Sequence, residues 1–196
     1  VLCVLHQNDL HSHHDPDSRG VGGTARLATL FRRERALAAT QGRTTLTIDA
    51  GDQFVGSLFY THWRGAAELA VMNAVGFDAM ALGNHEFDHG PATLGRFVRA
   101  APFPILAANL DVANEPELAG HVHPSTIIER EGLRIGIVGI TLPETPATSS
   151  PGPNLRFNPA LPALQAEVDR LRASGIATVI ALTHVGLPAD RALVAA

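Results

Sequence analysis

Short apolar runs alternate along the chain with stretches whose apolar residues recur at helical spacing. Runs of about four to eight apolar residues, often with β-branched side chains, predict buried strands. The segments of this kind are 1–6, 44–48, 79–82, 102–110, 133–140 and 176–182. Residues 125–129, followed by Glu131-Gly132 and the run 133–140, predict a β-hairpin and therefore an antiparallel strand pair.

Helical spacing of apolar residues fills most of the intervals between these strands. Helices are predicted after Thr24 and at 66–75, 92–100, 159–174 and 189–196. Three segments have neither period and are predicted to be irregular, namely 56–62, 111–124 and 145–153. Alternating strands and helices are typical of an α/β protein, and the hairpin makes the sheet system mixed.

The composition excludes several classes of protein. With 45% hydrophobic and 17% charged residues, the chain can bury a sizeable core and does not have the composition of a disordered protein. Its formal net charge of −4 argues against a partner that is a nucleic-acid polymer, because such binders carry a basic patch. Cys3 is the only cysteine, so neither an intrachain disulfide nor a thiolate metal cage is predicted. No apolar run reaches the roughly 18 residues that a membrane span needs, and nothing in the sequence indicates an oligomeric state.

Polar side chains capable of binding metal follow several predicted strands. Asp9 and His11 come after the first strand, Asp52 after the second, Asn84 and His85 after the third, and His184 after the last. In open α/β sheets, ligands bind beyond the carboxyl ends of the strands. Asp9 and His11 are two residues apart, so they point the same way if strand geometry persists. Together these residues predict a metal site.

Each of these motifs also has an ordinary structural explanation. An Asp-x-His pair occurs often by chance, and a strand-end histidine such as His184 is usually structural. Asp49 and Asp52 are both acidic candidates at the end of the second strand, and an aspartate there commonly caps a helix or forms an Asx-turn. Because Gly51 allows a sharp turn, we expect Asp52 to project over the sheet edge, where its two oxygens can bridge two cations.

A set of carboxylate, amide and imidazole donors without sulfur suits Mn²⁺, Zn²⁺, Fe²⁺ or Mg²⁺. Two such ions that share a carboxylate lie about 3.5–4 Å apart, and the pair can bind a phosphate oxygen and activate a water. A histidine beside the ions can protonate the leaving group. A paired-ion site of this kind is therefore able to cleave a P–O bond.

The motifs also resemble those of a known family. They are Asn8-Asp9-Leu10-His11, Gly22-Gly23-Thr24-Ala25-Arg26, Gly51-Asp52, Gly83-Asn84-His85-Glu86-Phe87-Asp88 and Thr183-His184-Val185-Gly186. In this order they are similar to those of calcineurin-like metallophosphoesterases. The resemblance is closest to the 5′-nucleotidase branch, which includes periplasmic UDP-sugar hydrolases and 2′,3′-cyclic-nucleotide phosphodiesterases.

The resemblance implies both a fold and a division of roles. The fold is a four-layer α-β-β-α sandwich of two mixed sheets, incomplete at the C-terminus. Asp9 and His11 would hold one divalent metal ion, and Asn84 and His184 the second, with Asp52 bridging the two. His85 would be the catalytic histidine that binds no metal, oriented by Asp88, and Asn84 and His85 would contact the substrate.

The resemblance further implies a small-molecule nucleotide substrate, from which phosphate is removed, and a periplasmic or extracellular location. Alternatives on the same site are cyclic-nucleotide, UDP-sugar or sulfur-ester hydrolysis, and a different class is a non-catalytic metal-binding domain. Residues 1–196 are expected to form a single catalytic domain, truncated before the family's last metal-ligand segment and without its C-terminal nucleotide-binding domain. This chain by itself is therefore expected to bind metal weakly and to hydrolyse little.

Overall fold

A five-stranded parallel sheet occupies the N-terminal two-thirds of the chain in the computed structural model, which describes residues 1–195. Residue 196, the last position of the predicted C-terminal helix, lies outside the described residues. The strands are β1 Leu2–Gln7, β2 Thr44–Asp49, β3 Ala79–Ala81, β4 Ile105–Leu106, β5 Leu110–Asp111, β6 Val122–His123, β7 Ser125–Arg130, β8 Leu133–Ile140, β9 Arg156–Phe157 and β10 Thr178–Thr183. The parallel sheet has the order β1-β2-β3-β4-β6.

Two smaller sheets complete the strand system. β8 lies between β10, which is parallel to it, and β7, which is antiparallel. β5 pairs with β9 in an antiparallel ladder. The predicted hairpin of β7 and β8 is confirmed. The parallel sheet contains no antiparallel pair within residues 1–195, so of the two large sheets only the three-stranded one is mixed.

The helices form the outer layers. They are α1 Thr24–Thr40, α2 Leu58–Trp63, α3 Ala66–Val75, α4 Gly90–Ala100, α5 Thr145–Thr148, α6 Ala160–Ala173 and α7 Leu187–Ala195, with a 3₁₀ turn at His85–Phe87. One apolar cluster joins α1, α3 and α4 to the parallel sheet, and another joins α6 to the three-stranded sheet.

The two large sheets pack face to face. Leu46, Ile48 and Leu106 of the parallel sheet share one buried cluster with Ile135 and Ile137 of β8. A Cβ atom on Gly139 would lie 2.4 Å from the Cβ of Leu106, so glycine is required for this close approach. The α/β class and the layered sandwich predicted from the sequence are confirmed.

Some segments predicted to be irregular contain short elements. Residues 56–62 hold most of α2, whose first turn is capped by Ser57, as its Oγ accepts the Phe59 N–H at 3.1 Å. Residues 111–124 contain β6, and residues 145–153 contain α5. These elements were missed because two to six residues are too few to establish a period.

No helix among residues 1–195 combines the length and the apolar character that crossing a membrane requires.

Candidate metal centre

The turns that follow β1, β2 and β3 lie side by side, because these strands are parallel neighbours. The first two turns are hydrogen-bonded to each other through the backbone. The Asp9 N–H donates to the Gly51 carbonyl and the His11 N–H to the Asp52 carbonyl, both at 2.9 Å. The docking of these turns places side chains more than forty residues apart in sequence at one edge of the sheet.

A left-handed backbone conformation sets the direction of the side chains in the first two turns. β1 ends at Gln7, and Asp9, His11 and Asp52 have φ angles of 54°, 48° and 58°. Non-glycine residues in this region carry strain and persist only where the surroundings hold them there. Strand geometry therefore does not persist to His11, and Asp9 and His11 converge through these turns instead of through strand alternation.

Predicted donors from the turns after β1, β3 and β10 come together around Asp52, which lies on the turn after β2. His184 Nε2 lies 3.1 Å from Asp52 Oδ2, and His11 Nε2 lies 3.8 Å from the same oxygen and 3.6 Å from Asp9 Oδ1. Two overlapping groups have donor atoms within 4.8 Å of one another: His11, Asp52 and His85, and Asp9, Asp52 and His184. Asp52 belongs to both groups, as expected for a shared carboxylate.

Of the other candidates, Asp9 falls in the group with His184 and His11 in the group with His85. Asp9 and His11 are also close to each other, with 3.6 Å between Asp9 Oδ1 and His11 Nε2. Asn84 directly precedes His85, whose backbone N–H donates to Asp52 Oδ1 at 2.9 Å. The backbone of Asn84 is thereby placed close to Asp52, and Asn84 is buried, with 9% of its surface exposed.

Hydrogen bonds to the second ring nitrogen orient two of the histidines. His184 Nδ1 lies 2.7 Å from the Ala50 carbonyl, and His11 Nδ1 lies 3.3 Å from the Phe54 carbonyl. Each Nδ1–H can donate to its carbonyl, which directs Nε2 toward Asp52. A backbone partner on the second nitrogen is the usual support of a metal-ligating histidine.

The electrostatics of the site favour bound positive charge. Burial by itself would lower the pKa of His184, but the hydrogen bond to Asp52 and the charge of that residue raise the pKa to about 9. Burial would raise the pKa of Asp52, but the hydrogen bond and positive charge of His184, together with the hydrogen bond from the His85 N–H and the charge of His85, lower it. Two carboxylates with oxygens within 4.8 Å need compensating positive charge, which divalent cations supply. The donor set therefore fits divalent metal ions.

His85 is held by a carboxylate that lies outside both donor groups. Its Nδ1 is 2.7 Å from Asp88 Oδ2, and Asp88 Oδ1 accepts a hydrogen bond from the Ser149 hydroxyl. Burial would lower the pKa of His85, but the hydrogen bond to Asp88 and the negative charges of the neighbouring carboxylates together raise the pKa. The ring of His85 meets the ring of His11 edge to face, with 5.1 Å between centroids.

Asp49, the other acidic candidate on β2, does not belong to the cluster. Its side chain is fully buried and accepts hydrogen bonds from Gln7 Nε2 at 2.8 Å and Gln53 Nε2 at 2.7 Å. Burial raises the pKa of Asp49 to about 7. Its role is to support the turn behind Asp52.

The sequence reasoning missed Glu86 as a structural residue of the site. Its buried carboxylate accepts four backbone N–H groups: those of Asp52 and Gly83 on Oε2, at 2.9 and 2.7 Å, and those of Gln53 and Phe54 on Oε1, at 2.7 and 3.3 Å. Burial raises the pKa of Glu86 to about 7. The position of Glu86 within the Asn84-His85 motif was the available signal.

Glu86 and a close glycine contact fix the two turns against each other. A Cβ atom on Gly83 would lie 2.2 Å from Asp52 Oδ1, and one on Gly51 would lie 2.2 Å from the Gly83 nitrogen. Both positions therefore require glycine, and the turns meet backbone to backbone. The four N–H groups that line this contact point at a single carboxylate.

Replacing Glu86 by glutamine is expected to destabilise the site strongly. Each carboxylate oxygen accepts two N–H groups, so the new amide nitrogen must face two donors in either orientation. Each donor left without an acceptor costs about 1–3 kcal/mol, which urea unfolding would measure. The matched control is Glu115→Gln, because the buried side chain of Glu115 accepts, among residues 1–195, one backbone N–H, that of Glu117, and the side-chain amide of Asn154. Equal losses of stability in the two variants would contradict this role of Glu86.

A cleft of about 470 Å³ opens beside the cluster, between the outer strands β1 and β10. Asp9 and His184 line it together with Asn8, Thr183 and Asp190. Its volume lies within the range of small-molecule sites.

Comparison with known proteins identifies the family to which this chain belongs. The family model described as calcineurin-like phosphoesterase matches residues 3–194. The chain belongs to the calcineurin-like phosphoesterase family. A phosphoesterase of this family implies divalent metal ions, in agreement with the donor set.

Individual relatives match this phosphoesterase chain over nearly its full length. A 5′-nucleotidase from Diplobatis ommata is 40% identical over 201 residues, which cover 97% of the chain and 34% of the relative. The crystal structure of a 5′-nucleotidase precursor from Thermus thermophilus superimposes with a TM-score of 0.90 at 38% identity, covering 97% of the chain and 38% of that protein. A Haemophilus influenzae NAD nucleotidase has a TM-score of 0.86 at 30% identity, covering 97% and 35%. The chain thus spans little more than a third of the length of these relatives.

Proposed function

We propose that this phosphoesterase domain removes phosphate from nucleotides with the help of two divalent cations. The observation that carries the proposal is the position of Asp52 in both donor groups, because a shared carboxylate is the signature of a paired-ion site. The names of the relatives, two 5′-nucleotidases and an NAD nucleotidase, support a nucleotide substrate. Since the chain spans only a part of those proteins, the activity is proposed for the protein that carries this domain.

Five side chains would hold the ions, with Asp52 shared, and the proposed ligands are Asp9, His11, Asp52, Asn84 and His184. Mn²⁺, Zn²⁺, Fe²⁺ and Mg²⁺ all suit such oxygen and imidazole donors. Bound ions would supply the positive charge that polarises the phosphoryl group and lowers the pKa of the attacking water.

His85, oriented by Asp88, would supply the proton that the leaving group needs. Asp88 accepts the Nδ1–H of His85, which leaves the other ring nitrogen of His85 free to hold a proton. From there His85 donates that proton to the oxygen that leaves the phosphorus, or forms a hydrogen bond to an equatorial phosphoryl oxygen. Asn84, adjacent in sequence and largely buried, would contact the same phosphoryl group.

We also propose a domain role and a location. Residues 1–196 would form one catalytic domain, and a separate nucleotide-binding domain would supply most of the selectivity for the base. An exported location, periplasmic or extracellular, would accord with the Thermus relative being a precursor, a term for proteins that are processed after synthesis. Cell fractionation tests the location, and comparison of the 196-residue chain with any longer natural form tests the domain role.

A substrate panel tests the activity. The protein is freed of metal with a chelator and resupplied with Mn²⁺, Zn²⁺, Fe²⁺ or Mg²⁺, and products are measured with AMP, NAD, UDP-glucose, 2′,3′-cyclic AMP and a sulfur ester. We expect hydrolysis of AMP that chelation abolishes and a divalent ion restores. Hydrolysis that persists without metal, or a preference for the sulfur ester over every nucleotide, would contradict the proposal.

A further inference from the structure

A second group of polar side chains is buried directly behind the metal centre. This group, the Ser12 cluster, consists of Ser12, His14 and Glu68. Ser12 and Glu68 are fully buried and His14 is 9% exposed. Glu68 is the only charged residue of α3, a helix whose other residues are mostly apolar. A buried carboxylate at such a position requires partners that justify its burial.

The hydroxyl of Ser12 connects three segments of the chain. It donates to Glu68 Oε1 on α3 at 2.5 Å and accepts the Tyr60 N–H of α2 at 3.1 Å. The Ser57 hydroxyl, at the cap of α2, lies 2.7 Å away and donates to it. His14 Nε2 lies 3.4 Å from the same oxygen of Glu68. Two helices and the turn after β1 are therefore joined at one buried hydroxyl.

The hydrogen-bond arrangement of the Ser12 cluster is not that of a nucleophilic triad. In such a triad the serine hydroxyl donates to the histidine, and the carboxylate orients the histidine. Here the hydroxyl donates to the carboxylate, and the serine has no exposed surface. Ser12 is therefore not arranged as a nucleophile, and the effect of the cluster on the metal centre passes through the backbone that it holds.

That backbone belongs to the metal centre, since Ser12 directly follows His11. Both residues have left-handed backbone, with φ angles of 48° and 56°, and two successive non-glycine residues in this region need outside support. The Ser12 N–H donates to the Gln53 carbonyl at 2.9 Å, next to Asp52. On the other side, a Cβ atom on Gly56 would lie 2.4 Å from the His11 carbonyl oxygen, so this turn is also tightly packed.

We propose that Glu68 is a positioning residue of the metal centre, which holds His11 in its ligating orientation by fixing the left-handed His11–Ser12 turn through the Ser12 hydroxyl. The inference rests on the proposed metal centre and goes beyond it, because Glu68 itself faces neither a metal ion nor a substrate. Outer-shell partners of metal ligands typically contribute 10–100-fold to metal affinity. The same range is expected here.

The test is metal binding by calorimetry, measured with Mn²⁺ or Zn²⁺ on protein that is first freed of metal. Glu68→Ala removes the acceptor and is expected to weaken binding by about 10–100-fold. Glu68→Gln keeps an acceptor oxygen for Ser12 and is expected to restore most of that loss. Ser12→Ala removes the hydroxyl that donates to Glu68 and accepts the Tyr60 N–H, and it is expected to weaken metal binding in the same way. This variant provides the test if Glu68→Ala does not fold.

The matched control is Glu167→Ala. Glu167 is likewise a buried carboxylate on a helix, and its Oε1 accepts a serine hydroxyl, that of Ser125, at 2.6 Å. This variant is expected to lose stability in thermal unfolding while keeping the metal affinity of the unsubstituted chain. The control thereby separates a general loss of stability from a specific loss of ligand orientation.

The outcomes distinguish this inference from the proposed function. The positioning role would be overturned if the unsubstituted protein binds metal and the folded Glu68→Ala and Ser12→Ala variants bind it with the same affinity. The proposed function would then remain intact. Equal weakening by Glu167→Ala would also overturn it, since the effect would then follow stability alone. A failure of the unsubstituted protein that carries this domain to bind any of these ions would overturn the metal centre and the positioning role together.

Discussion

Replacing His85 by alanine is expected to lower the turnover of nucleotide hydrolysis by about 10²–10⁴-fold, the usual contribution of general acid–base catalysis. The reason is the arrangement of its ring, in which Nδ1 is 2.7 Å from Asp88 and a ring nitrogen lies within reach of Asp52 and His11. The backbone N–H of residue 85, which donates to Asp52 Oδ1, is retained in the alanine variant. Metal binding should therefore change much less than turnover.

The measurement is phosphate release under saturating metal and substrate, together with metal affinity. His123→Ala is the control, because His123 is an exposed histidine on β6, far along the sheet from the centre. A His85→Ala protein with unchanged turnover would support the alternative of a non-catalytic metal-binding domain. Equal losses of turnover and of metal affinity would instead make His85 a metal ligand.

The parts of the fold that could be predicted are the segments whose apolar residues form a continuous run or recur at a clear spacing, and whose ends are marked by polar residues. The strands at β1, β2, β8 and β10 were recognisable from apolar runs, and the polar residues that follow three of them converge as expected. For β1 and β2, topology explains the convergence, because parallel strands of one sheet bring their carboxyl ends to the same edge. β10 belongs to the three-stranded sheet, and His184 reaches Asp52 because the two sheets pack face to face.

The local backbone of the site could not be predicted. Asp9 and His11 were expected to point the same way through strand alternation, yet both lie beyond β1 with left-handed backbone. Neither aspartate nor histidine requires a left-handed backbone, so a single sequence does not indicate this conformation. The conformation is imposed by hydrogen bonds to residues 51–53, which only the packed fold brings near.

The buried carboxylates illustrate a second limit. Glu86 and Glu68 hold the turns that carry the predicted ligands. Glu86 lies within the Asn84-His85 motif, whereas Glu68 lies in no motif. For Glu68, a lone charge in an apolar helix was a usable signal, because burial of a carboxylate demands partners. The sequence pattern indicates that such a residue is special, while the identity of its partners is a property of the tertiary structure.

Replacing Asp52 by asparagine is expected to remove both metal ions at once. Asparagine keeps the Oδ1 acceptor for the His85 N–H at 2.9 Å, so the turn should hold its shape. It loses the negative charge and places an amide next to His184 Nε2, which now lies 3.1 Å from Oδ2. The loss of affinity should exceed the 10–100-fold typical of an outer-shell partner, and activity should fall with it.

Counting bound ions distinguishes a shared ligand from two independent ones. Metal content after dialysis and calorimetric titration should show both sites weakened in Asp52→Asn, whereas His184→Ala should weaken one site and leave the other. Asp49→Asn is the matched control, because Asp49 lies three residues earlier but its buried side chain bonds to Gln7 and Gln53 and belongs to neither donor group. Retention of one tightly bound ion by Asp52→Asn would show that the carboxylate is not shared, and the paired-ion mechanism would then lose its structural basis.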